Sequence, residues 1–221
     1  SESWSWNARA EYRTSNVSKR LGFTSNLLRP LGEGKTFASS LRAYRTTDER
    51  GRAISAVTGD LALALRPIDS RWSLLERFTL RNESADQGVS SNNVLDVPTF
   101  AQGEFGTLRA INSLALGYRS GDEGAAHGFE ASLYYGAKYV RGRYADERLD
   151  GFIDVVGLEI RKDINRHLDI GVQGSVQHSW TEGTAAFSFG PSIGVSPGKD
   201  LWVSAGYNLS GYRDRDFEED R

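Results

Sequence analysis

The sequence lacks cysteine and has no long run of apolar residues. With no cysteine among its 221 residues, the chain has no disulfide framework, no thiolate nucleophile and no Cys-ligated metal. No window approaches the roughly 18 consecutive apolar residues of a membrane-spanning helix. That absence leaves a membrane β-barrel open, because lipid-facing and lumen-facing residues alternate along each barrel strand and the average hydrophobicity stays low.

The sequence also has no excess of positive charge, and it has little proline. Lys and Arg number 27 against 29 Asp and Glu, which argues against nucleic acid as a partner, because phosphate binding normally requires a basic excess. The chain has only 5 prolines but 24 glycines, and 11% of its residues are aromatic. This composition is typical of a strand-rich protein.

What the sequence does contain is alternation with a period of two residues. Along residues 4–13, apolar and aromatic side chains occupy every second position, and polar or charged ones lie between them. Successive strand side chains point to opposite faces, so such a segment has one apolar and one charged face. The rhythm predicts eleven strands, at 4–13, 17–29, 36–45, 53–66, 71–82, 106–119, 128–140, 149–163, 168–180, 185–195 and 201–209.

The length of these segments favours strands that cross a membrane. Most run about 10 to 14 residues, against roughly 5–6 for a strand in a soluble sheet and about 9–11 for a tilted membrane strand. The sequence therefore predicts an all-β, antiparallel, up-and-down transmembrane β-barrel that occupies residues 1–221 as a single domain. A soluble lipocalin-like barrel or sandwich remains an alternative, because the pattern does not say which face is inward.

The connections between the predicted strands alternate between short and long. Outer-membrane barrels have short periplasmic turns and longer external loops, so we expect the first strand to run outward from the periplasm. Single-chain bacterial barrels have an even number of strands, and we therefore expect a twelfth strand after Arg221. The short connections are 31–35, 67–70, 164–166 and 196–199, and the longer or more charged ones are 46–51, 83–104, 141–148 and the segment from 212 onward.

Two polar residues interrupt the apolar register. Glu76 occupies the same register as the apolar side chains of Trp72, Leu74, Phe78 and Leu80, where a lipid-facing carboxylate would cost about 2 kcal/mol or less. Asn112 occupies that of Leu108, Ala110, Leu114 and Leu116. A β-bulge could turn Glu76 to the other face, whereas no local feature accounts for Asn112. The connection at 83–104 is rich in Ser, Asn, Asp and Gly. It is expected either as an external loop or as a segment folded into the barrel.

Aromatic residues concentrate towards the strand ends, as the interfacial girdles of a membrane barrel require. The predicted girdle is Trp4, Trp6, Trp72, Tyr118 and Trp202 on the periplasmic side, with Tyr12, Tyr139 and Trp180 on the outer side. The charged register supplies candidate lumen-lining residues, namely Arg9, Glu11, Arg42, Asp60, Arg77, Arg81, Arg109, Glu130, Lys138, Glu159 and Arg161. Arg and Lys outnumber the acids there, which indicates either an anion-preferring lumen or a network of Arg–carboxylate pairs that fills a narrow barrel.

The last third of the chain resembles the C-terminal barrels of large Gram-negative surface proteins, in which a barrel follows long repeat regions. The resembling segments are 196–208 (SPGKDLWVSAGYN) and 211–217 (GYRDRDF). The resemblance implies an outer-membrane anchor or translocator for a region attached upstream of Ser1. In such proteins a final strand ending in an aromatic residue is read by the barrel assembly machinery, and this sequence does not contain that strand.

No arrangement of residues predicts catalysis or a cofactor. His178 and Ser179 are adjacent in a predicted strand and face opposite sides, so they cannot pair as a nucleophile and its base. No spacing of the three histidines resembles a metal site. We expect no enzyme activity, no cofactor, and as partners outer-membrane lipid, lipopolysaccharide, the assembly machinery and an attached passenger. A free-standing channel for small anions is the alternative function, and an outer-membrane acyl hydrolase is a minor one.

Overall fold

A computed structural model of the chain describes residues 3–86, 105–120, 128–144, 147–165, 167–198 and 201–209. These residues form one antiparallel sheet of eleven strands, in which each strand pairs with its neighbours in sequence. The strands are β1 (Ser5–Thr14), β2 (Ser18–Pro30), β3 (Lys35–Asp48), β4 (Ala53–Leu65), β5 (Trp72–Ala85), β6 (Phe105–Ser120), β7 (Phe129–Tyr144), β8 (Glu147–Asn165), β9 (Leu168–Ser179), β10 (Thr184–Gly198) and β11 (Leu201–Gly206). The prediction of an all-β chain with eleven antiparallel up-and-down strands is confirmed.

The sheet has two edges. Within the described ranges β1 pairs only with β2, and β11 pairs only with β10. The sheet is therefore not closed, and the predicted barrel and its twelfth strand stay predictions. The register is nevertheless strongly staggered. Following the directly paired residues from strand to strand, Ser5 at the start of β1 shares a row with Ala186 near the opposite end of β10. Such a stagger is what tilted barrel strands require.

Strand boundaries differ from the prediction most at the connection between β7 and β8. The expectation of a longer connection at 141–148 is wrong, because β7 continues to Tyr144 and β8 begins at Glu147. Charged side chains occupy both faces here and erase the apolar rhythm, whereas pairing depends on backbone N–H and C=O groups, which every residue but proline has. β5 likewise continues to Ala85, and residues 87–104 of the predicted long connection lie outside the described residues.

The turn between β2 and β3 requires glycine at position 34. Gly34 has a φ of +66°, in the left-handed region that disfavours a side chain. Its carbonyl oxygen accepts a hydrogen bond from the Arg66 N–H at 2.6 Å. A Cβ on Gly34 would lie 1.9 Å from the Arg66 carbonyl oxygen. The two neighbouring turns at this end of the sheet therefore contact each other through their backbones.

The two faces of the sheet differ in burial, and the polar register is the more buried one. Among its most buried side chains are those of Ala56, Glu83, Val155 and Asp169, with exposed fractions of 2–4%. Large apolar side chains of the other register, including Leu61 and Leu133, are exposed. The sheet thus exposes its large apolar side chains and buries part of the charged register, the reverse of a soluble sheet with an apolar core.

Candidate functional site

All eleven candidate lumen-lining residues lie on one face of the sheet. Directly paired residues of adjacent strands share a face, and the pairings connect all eleven positions without a change of face. We refer to this face as the charged face and to the other as the apolar face. The charged face carries Arg9, Glu11, Arg42, Asp60, Arg77, Arg81, Arg109, Glu130, Lys138, Glu159 and Arg161.

Four arginines of the charged face share a single row across the strands. Arg9 on β1, Arg42 on β3, Arg81 on β5 and Arg109 on β6 are connected through Thr24 and Thr58 by direct pairing. The adjacent row, two residues closer to the C-terminal end of β1, contains the acids Glu11 and Glu83. Cations and anions therefore lie in adjacent rows, an arrangement that the sequence alone did not reveal.

Ion pairs connect these adjacent rows. An Arg9 guanidinium nitrogen lies 2.9 Å from a Glu11 carboxylate oxygen, and Arg13 also contacts Glu11. Further along the sheet, Arg81 lies 2.6 Å from the buried carboxylate of Glu83. A carboxylate with so little exposure is stabilised only when a cation or hydrogen-bond donors compensate for its lost hydration.

Asp60 is the centre of a second group of contacts on the charged face. Its carboxylate accepts hydrogen bonds from the Thr79 hydroxyl at 2.7 Å, the Ser40 hydroxyl at 3.0 Å and the Arg77 guanidinium at 3.2 Å. Each donor is on a neighbouring strand, so Asp60 connects β3, β4 and β5 through side chains. Contacts of this kind favour the predicted Arg–carboxylate network over an open, unpaired row of cations.

A third group of charges lies towards the other end of the charged face. Arg119 forms an ion pair with Glu130. Arg161 lies 3.4 Å from a Glu159 oxygen and 3.9 Å from a carboxylate oxygen of Asp169, whose side chain is almost fully buried. One guanidinium therefore serves two acids here.

Tyr134 fills part of the space above the charged face. A Cβ added to Gly157, its partner on β8, would lie 1.9 Å from the Tyr134 ring carbon that bears the hydroxyl. The phenol ring therefore lies directly over the Gly157 backbone, where any other residue would collide with it. The absence of a side chain at 157 makes room for an aromatic ring on the charged face.

An aromatic cluster marks one end of the apolar face. The rings of Trp72 on β5 and Tyr118 on β6 have centroids 4.8 Å apart, and Phe129 on β7 lies 6.4 Å from Tyr118. We call these three residues the lower cluster. Trp72 and Tyr118 are two of the predicted girdle residues, and the structure brings them into contact. Phe129 was missed, because its proximity follows from the alignment of β6 with β7.

A second aromatic cluster marks the opposite end of the same face. Tyr139 on β7 pairs directly with Phe152 on β8, and the rings of Phe152 and Trp180 are 6.4 Å apart. The backbone N–H of Trp180 donates a hydrogen bond to the backbone carbonyl oxygen of Phe152 at 2.9 Å. We call Tyr139, Phe152 and Trp180 the upper cluster. Tyr139 and Trp180 were predicted girdle residues, whereas Phe152 was not.

The distance between the two clusters follows from β7, which contributes to both. Phe129 and Tyr139 are ten residues apart on this strand, or about 34 Å at about 3.4 Å per residue. In a membrane barrel, whose strands tilt by roughly 40°, such a distance along a strand corresponds to about 26 Å along the barrel axis, close to the roughly 25 Å height of the apolar band. Between them the apolar face of β7 carries Ala131, Leu133, Tyr135 and Ala137.

The other girdle candidates are not part of either cluster. Trp4, Trp6 and Tyr12 belong to β1 or lie just before it, and their side chains are exposed. The Trp6 indole N–H donates to the Ser25 hydroxyl at 3.0 Å across the β1–β2 pair. Position 202 lies in β11, but its side chain is outside the described part of the structure.

The two polar residues that interrupt the apolar register contact each other. The Asn112 amide on β6 donates to the Glu76 carboxylate on β5. Both adjoining ladders run unbroken past these positions, so no bulge turns Glu76 to the other face, and its side chain stays in the apolar register. The pair explains why both side chains are tolerated on the apolar face, since each satisfies a hydrogen-bonding group of the other.

His178 lies on the apolar face beside the upper cluster. Its ring meets that of Trp180 edge-on at a centroid distance of 4.2 Å, and its direct partner on β8 is Asp154. The adjacent Ser179 has the opposite parity in the strand, on the charged face. In the described ranges there is no group of three or more His, Asp or Glu residues placed to hold a metal ion, and no helix there is long and apolar enough to cross a membrane.

Comparisons with known proteins do not identify the chain. No protein-family model matches it, and no curated protein matches it either. The function proposed below therefore depends on the arrangement of its own residues.

Proposed function

We propose that the chain is a transmembrane β-barrel of a Gram-negative outer membrane, which anchors or exports an attached surface region. The observation that carries this proposal is the pair of aromatic clusters, ten residues apart along β7, at the two ends of an exposed apolar face. Aromatic girdles at the two membrane–water interfaces are typical of such barrels. In water, an exposed apolar face of this size would be an aggregation site.

In the proposed barrel the charged face lines the interior, and one further strand pairs with both β1 and β11. Two unpaired strand edges in hydrocarbon would leave backbone N–H and C=O groups without partners, at several kcal/mol for each group. A twelfth strand removes both edges and gives the even number that brings the two ends of the barrel to the same side. The rows are staggered from β1 to β10, and a stagger between strands is what a closed barrel requires.

The anchor or translocator role is supported by the contacts of the charged face. Ion pairs around Glu11, Asp60 and Glu83, together with the Tyr134 ring, occupy the face that would line the interior. A 12-strand barrel is only modestly wider than one filled by its own side chains. These contacts favour a narrow, charge-paired interior that holds the barrel rigid over a wide solute channel.

The test is an epitope placed upstream of Ser1 in the protein expressed from its complete gene. We expect antibody to bind the epitope on intact cells, and binding to fall when the barrel is prevented from assembling. An epitope that is reached only after the outer membrane is permeabilised would contradict export. A barrel that fails to fractionate with outer membranes would contradict the whole proposal.

A free-standing anion channel is the second candidate, and the arginine row favours it. Arg9, Arg42, Arg81 and Arg109 would form a partial ring around the interior, and such rings favour anions. The protein would then conduct in planar bilayers with a reversal potential that reports anion preference, and replacing Arg42 with Gln would reduce that preference. A silent barrel would exclude this function while leaving the anchor role in place.

A further inference from the structure

Two ionisable side chains lie side by side on the apolar face of β8 and β9. Asp154 on β8 pairs directly with His178 on β9, and both side chains are half-buried. We call these two residues the facing pair. They are two residues along the chain from Phe152 and Trp180 of the upper cluster, which in the proposed barrel is about 5 Å inside the apolar band.

The other polar residues near this part of the apolar face have partners within the chain. Glu76 and Asn112 are hydrogen-bonded to each other. Arg141 and Asp150 lie beyond the upper cluster, with the Arg141 Nε 3.8 Å from an Asp150 carboxylate oxygen. Within the described ranges no hydrogen bond or ion pair joins the two members of the facing pair. Ionisable side chains at membrane depth usually face protein or water and pair with one another, so a partner outside the chain is expected here.

Small side chains surround the facing pair within its row. Its neighbours are Ala137 on β7 and Ala185 on β10. The adjoining rows contain larger side chains, namely the upper cluster on one side and Tyr135 with Phe187 on the other. The two alanines therefore leave the facing pair accessible to a second protein surface.

A carboxylate beside an imidazole is complementary to a second copy of itself. A two-fold axis along the membrane normal, passing between β8 and β9, sets Asp154 of each copy against the partner's His178. Such reciprocal contacts define an isologous interface, and both copies keep the same orientation in the membrane. The imidazole N–H can donate to the carboxylate. A partner that carried only a cation would satisfy Asp154 and leave the imidazole without a partner.

We propose that β8 and β9 form the interface of a homodimer, held by two reciprocal contacts between Asp154 and the partner's His178. The inference rests on the proposed membrane function. Next to the facing pair, Val156 and Val176 are directly paired and exposed, and they pack against their counterparts in the second copy. The interface therefore has a polar centre bordered by apolar side chains.

The first test measures dimerisation by sedimentation equilibrium, with the protein expressed from its complete gene and folded in detergent micelles. Asp154→Leu with His178→Leu removes the proposed contacts and leaves side chains that suit lipid. Glu76→Leu with Asn112→Leu is the matched control, because it replaces the other polar pair of the same face. We expect dimerisation about tenfold weaker or more for the first variant and a change below about twofold for the control. Equal effects of the two variants, or no effect of the first, would overturn the proposal.

Mixing two single variants shows whether the contacts run between copies. Asp154→Leu alone and His178→Leu alone each remove both contacts from a homodimer. A mixed dimer keeps one of them, because one copy retains the carboxylate and the other the imidazole. We expect energy transfer between differently labelled variants to show tighter association in the mixture than in either variant alone. A mixture that associates no more tightly would mean that the facing pair acts within one chain, and the proposal would be wrong.

Cysteine cross-linking tests where the copies meet. Val156 on β8 and Leu61 on β4 belong to the apolar face and are exposed to similar extents, 47% and 49%. Each is replaced with cysteine, with any cysteine outside these 221 residues replaced by serine, and treated with a short bifunctional maleimide in vesicles. We expect a cross-linked dimer from Val156→Cys and none from Leu61→Cys. Equal cross-linking, or cross-linking only at position 61, would contradict an interface at β8 and β9.

Insertion into phosphatidylcholine vesicles separates this inference from the function it rests on. Insertion is scored by the shift in gel mobility between heated and unheated samples. A wild-type protein that inserts but stays monomeric contradicts only the dimer, and lipid then covers β8 and β9. A protein that fails to insert contradicts the membrane function and the interface together.

Discussion

The contact between Tyr134 and Gly157 joins β7 to β8 on the charged face, and it depends on the lack of a side chain at position 157. Gly157→Ala should lower the free energy of unfolding by about 1–3 kcal/mol, because the ring would have to move out of a packed position. The urea midpoint in lipid vesicles measures the change. Gly151→Ala is the matched control on the same strand and face, since a Cβ there would meet no atom closer than 4.0 Å. If the two variants were equally stable, the ring would not lie over Gly157.

The hydrogen bond between Asn112 and Glu76 gives a prediction about two polar residues on the apolar face. Asn112→Leu leaves the Glu76 carboxylate without its partner on the apolar face and should cost about 2 kcal/mol or less, depending on depth. Adding Glu76→Leu should restore stability to the wild-type level or above it, because both positions then suit lipid. Urea unfolding of Asn112→Leu, of Glu76→Leu and of the variant with both changes forms a double-mutant cycle with the wild type. Strictly additive effects would contradict a direct contact between the two side chains.

The contact between Asn112 and Glu76 shows how much the sequence could predict at the scale of single residues. The alternation identified Glu76 and Asn112 as exceptions but could not join them, because their contact depends on the register of β5 against β6. The same holds for Phe129 and Phe152, which complete the aromatic clusters only once β6, β7 and β8 are aligned. Sequence periodicity assigns a residue to a face, and pairing decides which residues meet on that face.

At the scale of the strands, the alternation was sufficient to place all eleven elements. It failed between residues 141 and 148, where Arg141, Arg143 and Arg148 carry charge into the apolar register. These charged side chains end the apolar alternation, whereas backbone pairing continues to Tyr144 and resumes at Glu147. The failure thus lies in the side-chain pattern and not in the strand pairing.

The turn between β2 and β3 provides a test at this scale. Gly34→Ala and Gly51→Ala both place a side chain at positive φ, which costs about 1–2 kcal/mol. Only the Gly34 change also drives a Cβ against the Arg66 carbonyl oxygen, whereas nothing lies within 4 Å of the Gly51 position. We expect total losses of about 2–5 kcal/mol for Gly34→Ala and about 1–2 kcal/mol for Gly51→Ala. Equal urea midpoints would contradict the contact between the two turns.

For the whole molecule, the proposed barrel depends on the apolar face being its outer surface and the charged face its interior. Burial agrees with this arrangement, since exposed Leu133 and Leu158 contrast with nearly buried Glu83 and Asp169. Sequence alone could not decide it, because a period of two residues predicts two different faces without saying which one is enclosed. The outer-membrane location, the closure by a twelfth strand and the attached region remain proposals that follow from this sidedness.

Cysteine scanning tests that sidedness directly, because the chain contains no cysteine of its own. Leu133→Cys lies at mid-height on the apolar face of β7, and Ser132→Cys is its neighbour on the charged face. Each variant is made in the protein expressed from its complete gene, with any cysteine outside these 221 residues replaced by serine. It is labelled with a small fluorophore and folded into vesicles that contain lipids spin-labelled in the acyl chains. We predict strong quenching of the label at position 133 and little at position 132. Equal quenching at the two positions, or stronger quenching at 132, would contradict the proposed barrel.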